Sequence, residues 1–319
     1  MMHRSIVTSI IIALLAATGL THAQQYPTKP IRLILGVPGG TTTDVGARLF
    51  TNQMSKRLGQ PVVVEARPGA NLTIAANFTA KADPDGYTLF YSPAFVFNPI
   101  FVKNNPVDAL KAFETVSIVS STEYMMFSSG KLPISNWREA VAWARANPGK
   151  LNFGSVAPGF DLMMNMLSQT GGYTYTSIPY AGSALVAPPL LTGDVHLSIS
   201  SPAVFQAHIA QGTIKPLFTT GRSAIYPTLA TAGESGFPDL DDIRLNFYFW
   251  APAKTPADIV QKVSESVQFS AKLPEVIEQH RKLFGVDPIG STPEEGRRTV
   301  ERELGAWGKL AKAANFQPQ

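Results

Sequence analysis

"IRLILGVPGGTTTDVGARLF" occupies residues 31–50, and its reading decides the fold class. The apolar run Ile31–Leu35 leaves through glycines and a proline, then meets three threonines and an aspartate. Beyond them, Val45, Leu49, Met54 and Leu58 recur at the spacing of one helix face. Asp44 is the expected cap of that helix, because a short acidic side chain can accept from the amides that a first turn leaves unpaired. Strand, tight turn, helix: this is the opening of a βαβ unit, whose successive strands lie parallel.

The same format recurs after this stretch. A β-branched strand at Val62–Val64 leads through Pro68-Gly69 to an alanine-rich helix starting near Thr73, and a third strand, Tyr87–Tyr91, leaves through Ser92-Pro93. The middle of the chain restarts with a helix, a strand at Leu151–Gly154, a loop and another helix. The last third holds the apolar strand "LNFYFWAPA" and two long amphipathic helices. This order predicts an α/β protein with two lobes, each a mainly parallel sheet flanked by helices. Residues 26–124 plus 246–319 would build lobe 1, and 125–245 lobe 2. The stripe Val300, Leu304, Trp307 and Leu310 is expected to pack on lobe 1. Ligands in such folds sit outside the carboxyl ends of strands. The expected cleft is therefore lined by "PGGTTTD", "RPGANLT", "YSPAF" and "GSVAPGFD", with "PYAGS" beside them.

Residues 1–23 stand apart. Arg4, an apolar stretch from Ile6 to Leu20 and small residues up to Ala23 have the layout of a secretory signal, cleaved near Ala23. An apolar stretch of about 15 residues is short for a membrane span, which needs roughly 20. The chain has no cysteine, so disulfides and thiolate chemistry are excluded. Losing Arg4 takes the formal net charge from +4 to +3. So mild an excess, with no basic run interleaved with aromatics, argues against nucleic acid.

Several expected helix starts are rich in glycine and hydroxyl residues: Gly40 to Thr43, Asn71 to Thr73, Ser155 to Gly159, and Gly182-Ser183. A helix start exposes unpaired amides and a partial positive charge, so it attracts anions without a cationic side chain. "PGGTTTD" lacks the lysine of a P-loop, and no G-x-G-x-x-G follows a strand, so carboxylate fits better than nucleotide phosphate. Three or four charged hydrogen bonds at about 1.5–3 kcal/mol each, with some apolar burial, suffice for micromolar affinity. Tyr91, Phe95, Phe97, Phe160 and Tyr180 lie in or beside these loops. All are core candidates first, Phe160 least so because it follows a loop glycine.

Catalytic equipment is missing from the sequence. His3 and His22 leave with the signal, and His196, His208 and His280 have no metal-binding spacing. There is no G-x-S-x-G elbow, and neither Ser155 nor Ser183 has an evident base. No catalytic residue, metal or cofactor is expected.

The runs "YPTKPIRLILGVPGGTTTDVGARLF", "LGQPVVVEARPGA", "ADPDGYTLFYSP", "IPYAGS", "LLTGDVHL", "PTLATAGESGFP", "FWAPAKTP" and "GSTPEEGRRTVERELGAWGKLAKAA" are long and collinear. Together they resemble the solute-receptor family of tripartite tricarboxylate transporters, the Bug family. The resemblance implies a monomeric, periplasmic, two-lobed receptor of the type II Venus flytrap kind, which closes on an organic carboxylate and delivers it to membrane permease subunits. A ligand-sensing subunit for a membrane signalling protein, or less readily an enzyme on the same scaffold, would share that form. Carried over, the family's binding positions fall on Gly40, Thr42, Thr43, Thr73, Ser92 and Ala94, and across the cleft on Ser155, Tyr180, Ser183 and Ser200; Thr41, Asn71, Gly159 and Phe160, in the same loops, complete the expected site. The chain departs from the family pattern at Thr41, at Asn71-Leu72-Thr73 and in the shortened "GSVAPGFDLMM". Leu72, Phe160 and Met163 there suggest an aromatic or otherwise more apolar acid in place of a small dicarboxylate.

Overall fold

A computed structural model describes residues 26–94, 99–103, 105, 107–180 and 182–318. The signal segment, Phe95 and Phe97 lie outside them. The first sheet begins with β1 (Ile31–Leu35), α1 (Thr42–Leu58), β2 (Val62–Ala66), α2 (Thr73–Ala80) and β3 (Thr88–Ser92). β1 pairs in parallel with both β2 and β3, so the βαβ format of the sequence is realised. A short helix, α3 (Ala109–Ala112), precedes the long β4 (Phe113–Glu123).

Tyr124 alone then separates β4 from β5 (Met125–Ser129), the first strand of a second sheet. That part continues through α4 (Trp137–Ala146), β6 (Asn152–Ser155), α5 (Pro158–Gly171), β7 (Thr176–Pro179), α6 (Ala187–Thr192), β8 (Leu197–Ser200), α7 (Gln206–Ala210) and β9 (Ile214–Thr219). The chain returns with β10 (Arg244–Pro252) and ends in α8 (Ala257–Ala271), α9 (Pro274–Phe284) and α10 (Pro293–Ala313).

Strand order is β2-β1-β3-β10-β4 in one sheet and β7-β6-β8-β5-β9 in the other. One strand in each, β10 and β5, runs antiparallel to its neighbours. The remaining pairs are parallel, as expected of a mainly parallel sheet. The first chain crossing is tied to the residue that follows β9: Thr220 N donates to Tyr124 O at 2.8 Å, and Tyr124 N donates to the Thr220 hydroxyl oxygen at 2.8 Å.

Both faces of the first sheet are buried. Ile31, Leu33 and Leu35 pack with Phe50 and Met54 of α1 and Val263 and Val267 of α8, while Ile34, Phe90 and Trp250 face Ala75, Ala76, Val300 and Leu304. Near-continuous apolar strands are what two-sided burial requires. The α10 stripe departs from expectation. Val300 and Leu304 join the first-sheet core, but Trp307 and Leu310 enter the core of the second sheet, where Trp307 meets Phe101 edge-on at 5.2 Å. One amphipathic stripe thus serves two cores. Its periodicity is right, but its length carries it past the boundary.

At that junction Glu303 is 4% exposed and accepts from Asn246 Nδ2 at 2.8 Å and Tyr248 hydroxyl at 2.6 Å. Burial pushes its carboxyl up to about 7, against the opposing pull of those two donors.

Candidate ligand-binding site

The loop after β1 is shaped from within. Thr41, not Asp44, is the N-cap of α1: its hydroxyl oxygen accepts from Asp44 N at 3.3 Å, and its own proton goes to Pro38 O at 3.0 Å. Asp44 sits in the first turn, 4% exposed, and reaches back to accept from Gly40 N at 2.9 Å. Arg48, one turn on, donates to the same carboxylate at 3.0 Å. Burial pushes the Asp44 carboxyl up, but the Arg48 hydrogen bond, the Gly40 amide and the Arg48 charge together hold it below its ordinary value. The Gly40 amide, expected to face a ligand, therefore already has an anionic partner. Thr41 and Thr43 are half-buried and Thr42 exposed. A Cβ added at Gly39 or Gly40 would meet nothing within 4 Å.

The loop after β2 turns by an unusual route. Ala70, Asn71 and Leu72 have φ of 45°, 48° and 64°, three successive left-handed residues of which none is glycine. Left-handed backbone costs an ordinary L-residue about 1–2 kcal/mol. Leu72 occupies the N-cap of α2 with no side-chain bond to the helix, so the start of α2 is uncapped by any side chain. Gly36 permits this approach: a Cβ there would lie 2.6 Å from Leu72 Cδ2 and 3.0 Å from its Cα. The loops after β1 and β2 are thus in direct contact.

Two hydroxyls at this edge have no partner. Thr73 Oγ1 and Ser92 Oγ are buried and make no hydrogen bond, and Ser92 as a whole is fully enclosed. Since β2, β1 and β3 are adjacent, Asn71, Thr73, Thr41 to Thr43, Ser92 and the buried Ala94 gather at one end of one sheet. A buried hydroxyl without a partner is costly in a resting fold; others occur among the described residues, Thr115, Ser120 and Ser128 included, but these two stand at the strand end where ligands of such folds sit.

At the corresponding end of the second sheet, Ser155 closes β6, Tyr180 follows β7 and Ser200 closes β8. Here the polar groups are satisfied. Ser155 Oγ donates to Asp161 Oδ2 at 2.6 Å, Ser177 Oγ donates to Asp161 Oδ1 at 2.5 Å, and Tyr180 N donates to Ser155 O at 2.7 Å. Ser183 opens a 3-10 turn, Ser183–Val186, which runs into α6. Among the described residues no group of histidines and carboxylates could hold a metal. Two concavities of about 500 and 610 Å³ lie elsewhere, one beside Lys29, Phe78 and Tyr87, the other beside Trp137 and Phe237; neither is lined by a residue expected at the site.

Residues 46–316 match the family model described as the tripartite tricarboxylate transporter family receptor. The chain belongs to this receptor family. Over its length it is similar to a UPF0065 protein encoded in the gbd 5′ region of Cupriavidus necator, 31% identical across 95% of this chain and 94% of that one. It is also similar to protein BugT of Bordetella pertussis, 29% identical across 96% and 95%. Among solved structures, the periplasmic binding protein BugD superposes with a TM-score of 0.79 at 28% identity, covering 92% of this chain and all of that one. An R. palustris protein solved with adipate gives 0.80 at 27% identity, with the same coverage. The type II two-sheet architecture and the Bug resemblance are thereby established for this receptor.

Within the receptor, two expectations are corrected. Phe160 is not the least core-like aromatic: it is 5% exposed and meets Tyr124 edge-on at 5.2 Å, because its helix position turns it onto the sheet. Met163, 1% exposed, is in the same core, so two of the three side chains that suggested an aromatic acid are packed in the interior of the second sheet. Gly159 is buried beside Phe160 in the first turn of α5. Sequence reasoning missed the Asp44–Arg48 pair, whose four-residue spacing was visible, and Asp161, whose place in a helix first turn was the only signal.

Proposed function

We propose that this chain is an extracytoplasmic receptor that holds a small organic carboxylate between its two lobes and delivers it to the membrane subunits of a tripartite transporter. Lobe 1 (26–124 plus 246–319) would grip the carboxylate, and lobe 2 (125–245) would close over the remainder. The observation that carries this reading is the pair of unpartnered hydroxyls, Thr73 Oγ1 at the uncapped start of α2 and Ser92 Oγ at the end of β3, at the same end of the first sheet. Ser92, Thr73 and the first-turn amides after Thr41 and Leu72 would supply the donors, and Ser155, Tyr180, Ser183 and Ser200 the opposite wall. The adipate in the R. palustris relative supports a carboxylate ligand here.

Residues 1–23 would export the chain and be removed near Ala23, leaving a monomer. No described helix is long and apolar enough to cross a membrane, which suits a receptor that reaches its permease by docking. Binding and release without chemical change is the role these residues support. A native mass spectrum of freshly purified protein is expected to retain a small organic acid. An empty spectrum, together with no heat on titration with any acid of a broad carboxylate panel, would overturn the proposal. A deletion strain that loses uptake of the retained acid separates transport from sensing.

A further inference from the structure

The two strand ends differ in the sign of what they offer a ligand. In lobe 1 the acidic residue nearest the site, Asp44, is matched by Arg48 at 3.0 Å. The neighbouring helix α2 has no acidic residue in its first turn. Its positive end is unopposed, and the free hydroxyls of Thr73 and Ser92 lie beside it.

Lobe 2 is the reverse. Asp161 lies in the first turn of α5 and so already answers that helix's positive end. Among the described residues no cation pairs with it; its partners are the hydroxyls of Ser155 and Ser177. Each serine has one proton to give. With Ser155's proton held by Asp161 at 2.6 Å, Ser155 can only accept from a ligand. Ser198, inside β8 opposite Gly154, gives its proton to Gly154 O at 2.8 Å. A carboxylate brought here would meet lone pairs and a carboxylate that no cation among the described residues offsets.

Resting on the receptor reading above, we infer that the ligand carries one carboxylate, held by lobe 1, and a hydrogen-bond donor such as a hydroxyl or amine at its far end, facing Ser155. Asp161 is then a specificity residue that excludes a second carboxylate. Discrimination of this kind needs a repulsive element as well as an attractive one. A site built around buried polar groups also rejects the wrong partner more strongly than an apolar pocket does.

The test is titration calorimetry of the full mature chain with length-matched pairs: succinate against 4-hydroxybutyrate, and adipate against 6-hydroxyhexanoate and 6-aminohexanoate. The wild type is expected to bind at least one donor-bearing acid tenfold or more tightly than its dicarboxylate partner. Asp161→Asn should reduce that ratio to threefold or less by admitting the dicarboxylate, whereas Ser177→Ala, which keeps the charge, should preserve it. A wild type that prefers the dicarboxylate overturns the inference while leaving the receptor reading intact, and this comparison decides even if Asp161→Asn folds poorly. An unchanged ratio in a folded Asp161→Asn variant also overturns it. If no acid binds, both readings fall together.

Discussion

The carboxyl ends of the two sheets are built by different means. At the first, shape comes from the backbone: three left-handed residues in succession, and a glycine, Gly36, against which Leu72 lies at a distance no Cβ tolerates. At the second, shape comes from side chains: Ser155 and Ser177 are anchored on Asp161, and Ser198 on Gly154. Strained backbone persists only where surrounding structure over-determines it, and it clusters at functional sites. A rigid first edge would leave its hydroxyls free for a guest without reorganisation. The second edge satisfies its own polar groups.

The contrast can be pressed hardest at the junction, which belongs to neither edge. Glu303 titrates near 7 in the fold against an ordinary 4.5, because burial disfavours its charge. A raised acid contributes stability that is fully present below about 4.5 and is lost as pH climbs through about 7. The gap corresponds to on the order of 3 kcal/mol. Glu303→Gln should flatten the dependence of melting temperature on pH between 5 and 8, and at pH 8 the variant should melt above the wild type. Parallel curves for the two proteins would show that this acid does not titrate as described.

Added carbon should separate the edges next. Gly36→Ala forces a Cβ into Leu72 and is expected to cost about 1–3 kcal/mol by denaturant unfolding, with a loss of ligand affinity as the two loops part. Gly182→Ala, where a Cβ meets nothing within 4 Å, should change stability by less than about 0.5 kcal/mol. Equal effects would mean that the first edge is no more backbone-dependent than the second.

Hydroxyl removal gives the smallest and most diagnostic pair. Ser92→Ala deletes an unpartnered buried hydroxyl, so stability should hold or rise by about 1 kcal/mol while affinity for the bound acid falls about tenfold. Ser155→Ala removes a donor to a carboxylate and should lower stability by about 1–2 kcal/mol. Thermal melts and calorimetry on both variants, with the two stability changes pointing the same way, would erase the distinction.

Much of this architecture could be read from local pattern. Ile31–Leu35, the glycine turn and the periodicity after Thr43 determine one βαβ unit almost without tertiary help, and its repeats gave both lobes. Capping was harder: Thr41 and Asp44 are both good N-cap residues, and only backbone geometry reveals that Thr41 caps while Asp44 folds back on Gly40. Phe160 follows a loop glycine, and its burial depends on which face of α5 meets the sheet. The left-handed turn left little trace: Asn71 favours that backbone, but Ala70 and Leu72 do not. Trp307 and Leu310 were legible as apolar helix positions, but no local signal says which of two interiors receives them.

That last point bears on how the molecule comes apart. A single helix is embedded in two hydrophobic interiors, Leu304 in one and Trp307 less than a turn later in the other. Melting either half would strip the other of a wall of its own interior, so the halves should dissolve together, although no strand passes from one sheet into the other.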